Sequence, residues 1–284
     1  MKQHKLTRPI PDAWVSPLDT WELALRAANN ADGTLTTRVR HMRQVARGFE
    51  DQAPEDVTGE DLLEWCGHQR WQPETRRSYY ASIRSFFRWL SKAHSLEDAS
   101  SVLPSVRCNA GKPHPLPEAV LDTGLDESAE RTRLILTLAA CAGLRACEVA
   151  VVHARDIFQQ DDGLYLTAHG KGGKDRDIPL LPWLGQWLLL TCAHNGGYAF
   201  PGQIDGHLSA RWISKLGSQA LPSAWTLHSA RHRFATKAYR VERDLLTVQR
   251  LLGHSSVATT QRYAEPPSDA LRAAIQATEV HHHF

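Results

Sequence analysis

Nothing in this chain is long and apolar enough to suggest a bilayer span. No run of 18 or more apolar residues occurs, and no charged-then-apolar leader opens the sequence, which predicts a protein of the cytoplasm with neither a membrane span nor a secretory signal. Paired cysteine is missing as well. The five thiols, Cys66, Cys108, Cys141, Cys147 and Cys192, are odd in number and include no C-x-x-C spacing. That argues against a disulfide framework and a zinc ribbon, and they read as buried or idle thiols. An excess of one charge is also absent: 33 Lys+Arg stand against 31 Asp+Glu, for a net charge of +2. Residues 1–116 hold 16 basic and 14 acidic side chains, and the remainder 17 of each. Any surface for a polyanion must therefore come from the placement of charge. The sequence has no P-loop, no acidic metal cluster and no internal repeat.

What is present is enough apolar material, 42% of 284 residues, to build one large domain or two small ones. Residues 1–15 are polar and proline-containing and read as a loose tail. From Ser16 the pattern turns helical, with Trp21, Leu25 and Ala28 on one stripe. A second stripe, Leu35, Val39, Met42, Ala46 and Phe49, follows a break at Asp32-Gly33-Thr34. On that second helix Arg40, Arg43 and Arg47 lie within about 60° of one another, away from the apolar side. A third helix runs from about Thr58 to Gly67. A fourth, after Pro73, turns Tyr80, Ile83, Phe87 and Leu90 inward and carries Arg77, Arg84 and Arg88 on another face. A charged helix face is ordinarily just solvated. Two all-arginine rows in one small bundle shift the reading toward phosphate contacts, because planar guanidinium forks match phosphate oxygens.

Four prolines and a glycine between Leu103 and Pro117 mark an extended linker. The organisation expected is a tail over 1–15, a helical domain over 16–103, a linker over 104–116, a second domain over 117–264 and a C-terminal tail over 265–284. The second domain opens with two helices, the apolar one over 134–142 stopped by Gly143. From Arg155 to Pro179 the period changes to two, with turns at Asp161-Asp162-Gly163 and Gly170-Lys171-Gly172-Gly173, which predicts a three-stranded antiparallel sheet. Helices return over 183–192 and 207–221.

The stretch from Thr226 to Ala264 is the densest in chemistry. His228 and Arg231 are three apart and share a helix face. Leu245, Val248 and Leu252 mark a further helix stopped by Gly253, and Ser255 or Ser256 caps a short helix bearing Tyr263. Beyond Pro266-Pro267 one more helical pattern covers 269–278. Cations and a hydroxyl on rigid elements suggest a phosphate-handling nucleophilic site. Taken singly, each residue also has an ordinary reading. Arg145 with Glu148 can be a helical ion pair, His254 a helix-end charge partner, Tyr263 a packed ring and Lys171 a solvated turn lysine. His228 and His232 have the spacing of a metal pair but lack the glutamate of H-E-x-x-H. No role is assigned to His281–His283.

Together these residues resemble the tyrosine recombinases of the phage integrase type over nearly the whole chain. The first family box, G-L-R-x-x-E, stands at Gly143 to Glu148, and the hairpin G-K-G lysine at Lys171. The second box is Thr226-Leu-His-Ser-Ala-Arg-His-Arg-Phe-Ala-Thr236, followed by L-L-G-H-S at Leu251 to Ser255 and T-x-x-Y at Thr260 to Tyr263. Ala230 replaces the usual Leu, Arg233 the usual Thr or Ser, and the first box lacks the common Ser before Glu148.

The resemblance implies a mainly α fold with a small antiparallel sheet, in which a helical core-binding domain and a mixed α+β catalytic domain form a C-shaped clamp on DNA. It implies a metal- and ATP-independent strand transferase that passes through a 3′-phosphotyrosyl link and a Holliday junction. Arg145 and Arg231 would neutralise the phosphodiester, which is already anionic and a poor electrophile. Tyr263 would attack, and His228 is the candidate base, since a phenol of pKa near ~10 is mostly neutral at pH 7. Lys171 would protonate the leaving 5′ oxygen, with Lys174 as fallback, His254 would hydrogen-bond the phosphate, and Glu148 would orient Arg145 or His228 from behind. The implied partners are double-stranded core sites with inverted repeats, a homotetramer on two sites with the 269–278 helix docking on a neighbour, and a directionality factor where the reaction is reversed.

With only about fifteen residues before the first helix, no separate arm-binding domain is expected. The compact chain is Xer-like, expected in the cytoplasm with the nucleoid, or in a host's cytoplasm if phage-encoded. Integration and excision of a phage or mobile element is the first reading. Chromosome or plasmid dimer resolution and a catalytically silent DNA-binding regulator are the alternatives.

Overall fold

Trp14 decides where the first helix begins. It continues the stripe Leu18, Trp21, Leu25 by one turn toward the N-terminus and is fully buried, so α1 spans Asp12–Ala27 and starts before Ser16. Pro11 supplies the extended residue ahead of it, and Asp12 sits in the first turn, where the helix dipole favours a carboxylate. Ala28, expected on the stripe, is exposed. This computed structural model describes residues 9–108, 114–170 and 173–253. The chain divides into two compact units, Met1–Ala110 and Gly111–Phe284.

In the first unit α2 spans Asp32–Ala46. Asp32, Gly33 and Thr34, expected as a break, form its first turn. The reversal falls earlier, where Asn29 takes a left-handed φ of 53°, a conformation asparagine tolerates. α3, Gly59–Gly67, begins with a reciprocal capping box between Thr58 and Asp61. α4, Pro73–His94, has proline in its first turn, where the missing N–H costs nothing, and stops at Ser95 in a left-handed conformation. Tyr80, Ile83, Phe87 and Leu90 face inward as the spacing predicts, joined by Tyr79 and Phe86. Trp14 stacks on Phe86 at 5.7 Å and Phe49 at 6.2 Å. Truncating any of these large buried rings to alanine is expected to cost roughly 3–5 kcal/mol.

In the second unit α5 spans Glu118–Asp126 and α6 Glu130–Cys141. Residues 134–140 are all buried, so α6 is the central helix, apolar all round because neighbours cover every side. A short α7, Ala146–Ala150, leads through a 3-10 turn into the sheet. β1 (Ile157–Gln160), β2 (Gly163–Ala168) and β3 (Arg176–Pro179) pair antiparallel in that order. The register places Leu166 opposite both Ile157 and Ile178, one buried row facing the helices. α8 (Pro182–His194) follows, then a short β4 (Pro201–Ile204) that side-chain periodicity does not predict. His207 bridges to β4, so α9 starts only at Ala210, with Ser209 capping it, and runs to Gln219. α10 spans Leu227–Glu242 and α11 Leu245–Leu252. The seam between them is set by Arg243 at a φ of 52° and by Asp244, whose carboxylate accepts from the N–H groups of Leu246 and Thr247. The expected serine cap, the helix bearing Tyr263 and the 269–278 helix lie outside the described residues.

Candidate active site

Gly143 closes α6 at a φ of +65°, and a Cβ there would fall 2.5 Å from the Phe234 ring, so only glycine fits this turn against α10. The turn places Arg145 just ahead of α7. Its backbone N–H donates to Glu148 Oε2 at 2.8 Å and its Nη1 to Oε1 at 2.7 Å. The guanidinium stays about one-third open, with a side-chain exposure of 34%. Its Nη2 lies 3.4 Å from the Gly253 carbonyl.

The next residues come from α10, a helix whose inner face is Leu227, Ala230 and Ala235. Arg231 is buried, with one Nη donating to the Gly143 carbonyl and the other to the Leu252 carbonyl at 2.7 Å. Its Nη1 also stands 3.6 Å from Glu148 Oε2. His228, one turn back, is exposed on one side and packs edge-to-face on His232 at 4.4 Å. Partial burial, then the charges of Arg231 and Arg145, hold its pKa below the ordinary 6.5, so the ring is neutral at pH 7 and able to accept a proton. His232 Nδ1 accepts from the His114 N–H at 3.2 Å. Among the described residues no group of three or more His, Cys, Asp or Glu could hold a metal ion.

Arg176, at the start of β3, is not singled out by the sequence patterning. Its Nη1 and Nη2 grip Glu148 at 2.8 and 2.9 Å, and its Nε donates to the Leu251 carbonyl at 2.7 Å. The one available signal is a basic residue opening a strand beside the Gly-rich hairpin. Strand periodicity does not say which face such a residue takes. Glu148 thus gathers three arginines while almost wholly buried. Burial pushes its pKa up, but the Arg176 hydrogen bonds, the Arg145 backbone N–H and the arginine charges overcome this and hold it down at about 2. The carbonyls of residues 251, 252 and 253 point at Arg176, Arg231 and Arg145 in turn. Cations at the C-terminal end of α11 complement its dipole.

The β2–β3 hairpin is rooted by His169, whose Nδ1 lies 2.9 Å from Asp175 Oδ2 and whose Nε2 lies 3.0 Å from Asp156 Oδ1. Lys174 is exposed near the tip. Lys171, His254 and Tyr263 lie outside the described residues. The structure therefore brings Arg145, Glu148, His228 and Arg231 together and adds Arg176.

The departure at Arg233 has a structural partner. Its guanidinium donates to Glu118 at 2.8 and 2.5 Å and to the Ala140 carbonyl at 3.1 Å, tying α10 to α5 and α6. Ala230 is fully buried in the core of this unit.

In the first unit, Arg40 and Arg43 are exposed and Arg47 half-buried along α2. The α4 row is less uniform. Arg77 and Arg88 are exposed, but Arg84 donates to the carbonyls of Leu103 at 2.6 Å and Pro104 at 3.0 Å and lies over the Tyr80 ring. It holds the start of the linker segment rather than standing open with its neighbours.

A helical unit and a second unit of helices around a three-stranded antiparallel sheet are the organisation that the resemblance to the tyrosine recombinases implies. Residues 118–268 match the model of the phage integrase family. The chain is 34% identical to tyrosine recombinase XerC of Methylobacterium nodulans over 220 residues, 69% of this chain and 68% of that protein. It is 31% identical to XerC of Rhodospirillum centenum over 224 residues, covering 71% of this chain and 65% of the relative. XerC of Vibrio parahaemolyticus matches at 28% over 295 residues, 90% of each chain. Among solved structures, a lambda integrase dimer bound to a COC′ core site superimposes with a TM-score of 0.71 at 18% identity, covering 95% of this chain and 79% of that one. XerH recombinase bound to difH substrate gives 0.68 at 19%, covering 93% and 84%. These two likenesses show a shared fold. The chain belongs to the phage integrase family of tyrosine recombinases.

Proposed function

We propose that this protein is a site-specific DNA recombinase that cleaves and rejoins strands through a 3′-phosphotyrosyl intermediate and a Holliday junction. The observation that carries the reading is the convergence of Arg145 and Arg231 on buried Glu148, with a neutral His228 beside the two arginines, within the stretch matched to the family. Tyr263 attacks the scissile phosphorus as its phenolic proton passes to His228, and the P–O5′ bond breaks. Lys171, or Lys174 in its place, gives a proton to the leaving oxygen. Arg145 neutralises the non-bridging oxygens from the open side of the cluster. Arg231 supports that charge from below, and His254 hydrogen-bonds the phosphate. The phosphotyrosyl ester conserves the bond energy, so a second 5′-hydroxyl reseals the strand without a nucleotide or a metal.

The arginines of α2 and α4, Arg40, Arg43, Arg47, Arg77 and Arg88, contact the backbone of inverted-repeat core sites, with Arg84 also securing the linker segment. Four protomers hold two sites, a reading supported by one structural neighbour, a lambda integrase tetramer bound to a Holliday junction. The enzyme works in the cytoplasm at the nucleoid, with a directionality factor where integration and excision alternate. Among the described residues no helix is long and apolar enough to cross a membrane.

Integration and excision of a phage or mobile element is the first setting. Chromosome dimer resolution is the second, favoured by the XerC relative that matches over 90% of both chains. Recombination between two copies of an inverted-repeat site in a plasmid tests the activity. Deleting the gene and scoring chromosome dimers separates the settings: dimers accumulate if it is a resolvase and do not if it serves a mobile element.

A further inference from the structure

Of the three arginines around Glu148, two are enclosed and one is not. Side-chain exposure is 34% for Arg145, 9% for Arg176 and 1% for Arg231. Arg145 is therefore the guanidinium that an incoming phosphodiester reaches first. A phosphate that draws on this guanidinium weakens its hold on Glu148, while the Arg145 backbone N–H stays on the carboxylate, and what the side chain gives up must be made good by another partner of the buried charge. Arg231 does not fill the gap, because both of its Nη atoms are directed at the Gly143 and Leu252 carbonyls and its approach to Glu148 is 3.6 Å. Arg176 does, since its fork already binds both carboxylate oxygens at 2.8 and 2.9 Å.

The same guanidinium reaches α11. Its Nε holds the Leu251 carbonyl, and a Cβ on Gly253 would fall 2.9 Å from its Nη1, so the glycine gives the guanidinium room beside the helix end. One side chain thus joins the strand after the hairpin, the first-box turn and the end of α11.

We propose that Arg176 is a positioning residue for strand cleavage, holding Glu148 in place behind Arg145 while Arg145 engages the phosphodiester. The inference rests on the reading in which Arg145 engages the scissile phosphate. The groups facing Glu148 are Arg145 from its own turn, Arg176 from β3 and Arg231 from α10, with His228 beside Arg145 and Arg231. Without Arg176, and with the Arg145 guanidinium shared with the phosphate, Glu148 takes up a proton at a higher pH and loosens its hold on the turn.

The test is single-turnover formation of the covalent adduct on a nicked core site by the full chain, measured across pH for Arg176→Gln and Arg176→Lys. DNA affinity and Tm are recorded alongside. Arg176→Gln is expected to slow adduct formation roughly 10- to 100-fold, with DNA affinity within about threefold of the parent, and to move the acid limb of the profile to higher pH. Arg176→Lys restores the acid limb while the rate stays reduced, because the charge returns without the fork. An acid limb that does not move in Arg176→Gln, or identical profiles for the two variants, overturns the proposal.

If Arg176→Gln fails to fold, the substitution is repeated in a Glu148→Gln background, which removes the buried charge. There it is expected to add little, and a further loss of about tenfold overturns the proposal. Arg145→Ala serves as the control. Undiminished cleavage in that variant removes the reading on which the inference rests. Abolished cleavage there, beside an unmoved acid limb in Arg176→Gln, removes only the role of Arg176.

Discussion

His169 and Asp156 fasten the root of the β2–β3 hairpin through an Nε2 to Oδ1 contact of 3.0 Å, while the other ring nitrogen lies 2.9 Å from Asp175. Both nitrogens face carboxylates, and both donate only when the ring is an imidazolium. The Asp156 hydrogen bond raises the His169 pKa above its ordinary 6.5, with partial burial opposing and the Asp175 bond and both carboxylate charges adding to the rise. Because the folded value is raised, this stabilisation is fully present below 6.5 and is lost as pH rises through the folded value. Amide exchange in residues 168–170 and 173–176, corrected for its intrinsic pH dependence, is expected to accelerate over that window in the parent. In His169→Gln it is expected to be fast throughout. A parent hairpin equally protected on both sides of the transition would contradict the clamp.

Arg233 stands where the family usually has a small hydroxyl residue, and it spans α10, α5 and α6 through Glu118 and the Ala140 carbonyl. Glu118 is half exposed, and the Arg233 hydrogen bonds hold its pKa down at about 2. Arg233→Thr is expected to lower stability by about 1 kcal/mol while leaving adduct formation near the parent level. The pair's contribution is present above the ordinary 4.5 and lost as pH falls through about 2. Thermal melts of parent and variant should therefore differ at pH 7 and converge in acid. A variant that keeps its Tm but loses cleavage would assign Arg233 to the chemistry instead.

Gly143→Ala combines a left-handed φ of +65° with a Cβ 2.5 Å from the Phe234 ring. The expected cost is at least about 1–2 kcal/mol. The Gly143 carbonyl also receives an Arg231 hydrogen bond, so adduct formation should fall together with Tm. Gly163→Ala is the comparison, because a Cβ there meets no atom within 4 Å although its φ is also positive. It should lose stability without losing rate. Equal activity in Gly143→Ala and the parent would show that this turn does not hold the arginines.

Much of the fold is legible in the chain because period and punctuation carry it. The α4 stripe, the three-stranded sheet and the Gly253 stop follow from side-chain spacing and left-handed glycines. The start of α1 is not, because polar flanks hide one more turn of the stripe, ending in Trp14. The Asp-Gly-Thr segment reads as a break because its residue types favour turns, yet an aspartate in a first turn favours a helix start equally. Box residues announce Arg145, Glu148, His228 and Arg231. Arg176 is not legible, since its importance lies in three contacts made across 28 to 75 positions of sequence.

In the proposed reaction Tyr263 becomes covalently joined to a 3′-phosphate of the core site. The most direct measurement is incubation of the protein with nicked core-site DNA in EDTA, followed by denaturing electrophoresis and mass analysis of the linked peptide. A protein–DNA adduct on the peptide containing Tyr263, absent in Tyr263→Phe and formed without a divalent metal, is the expected result. An adduct that persists in Tyr263→Phe, or tight site-specific binding with no adduct, would contradict it.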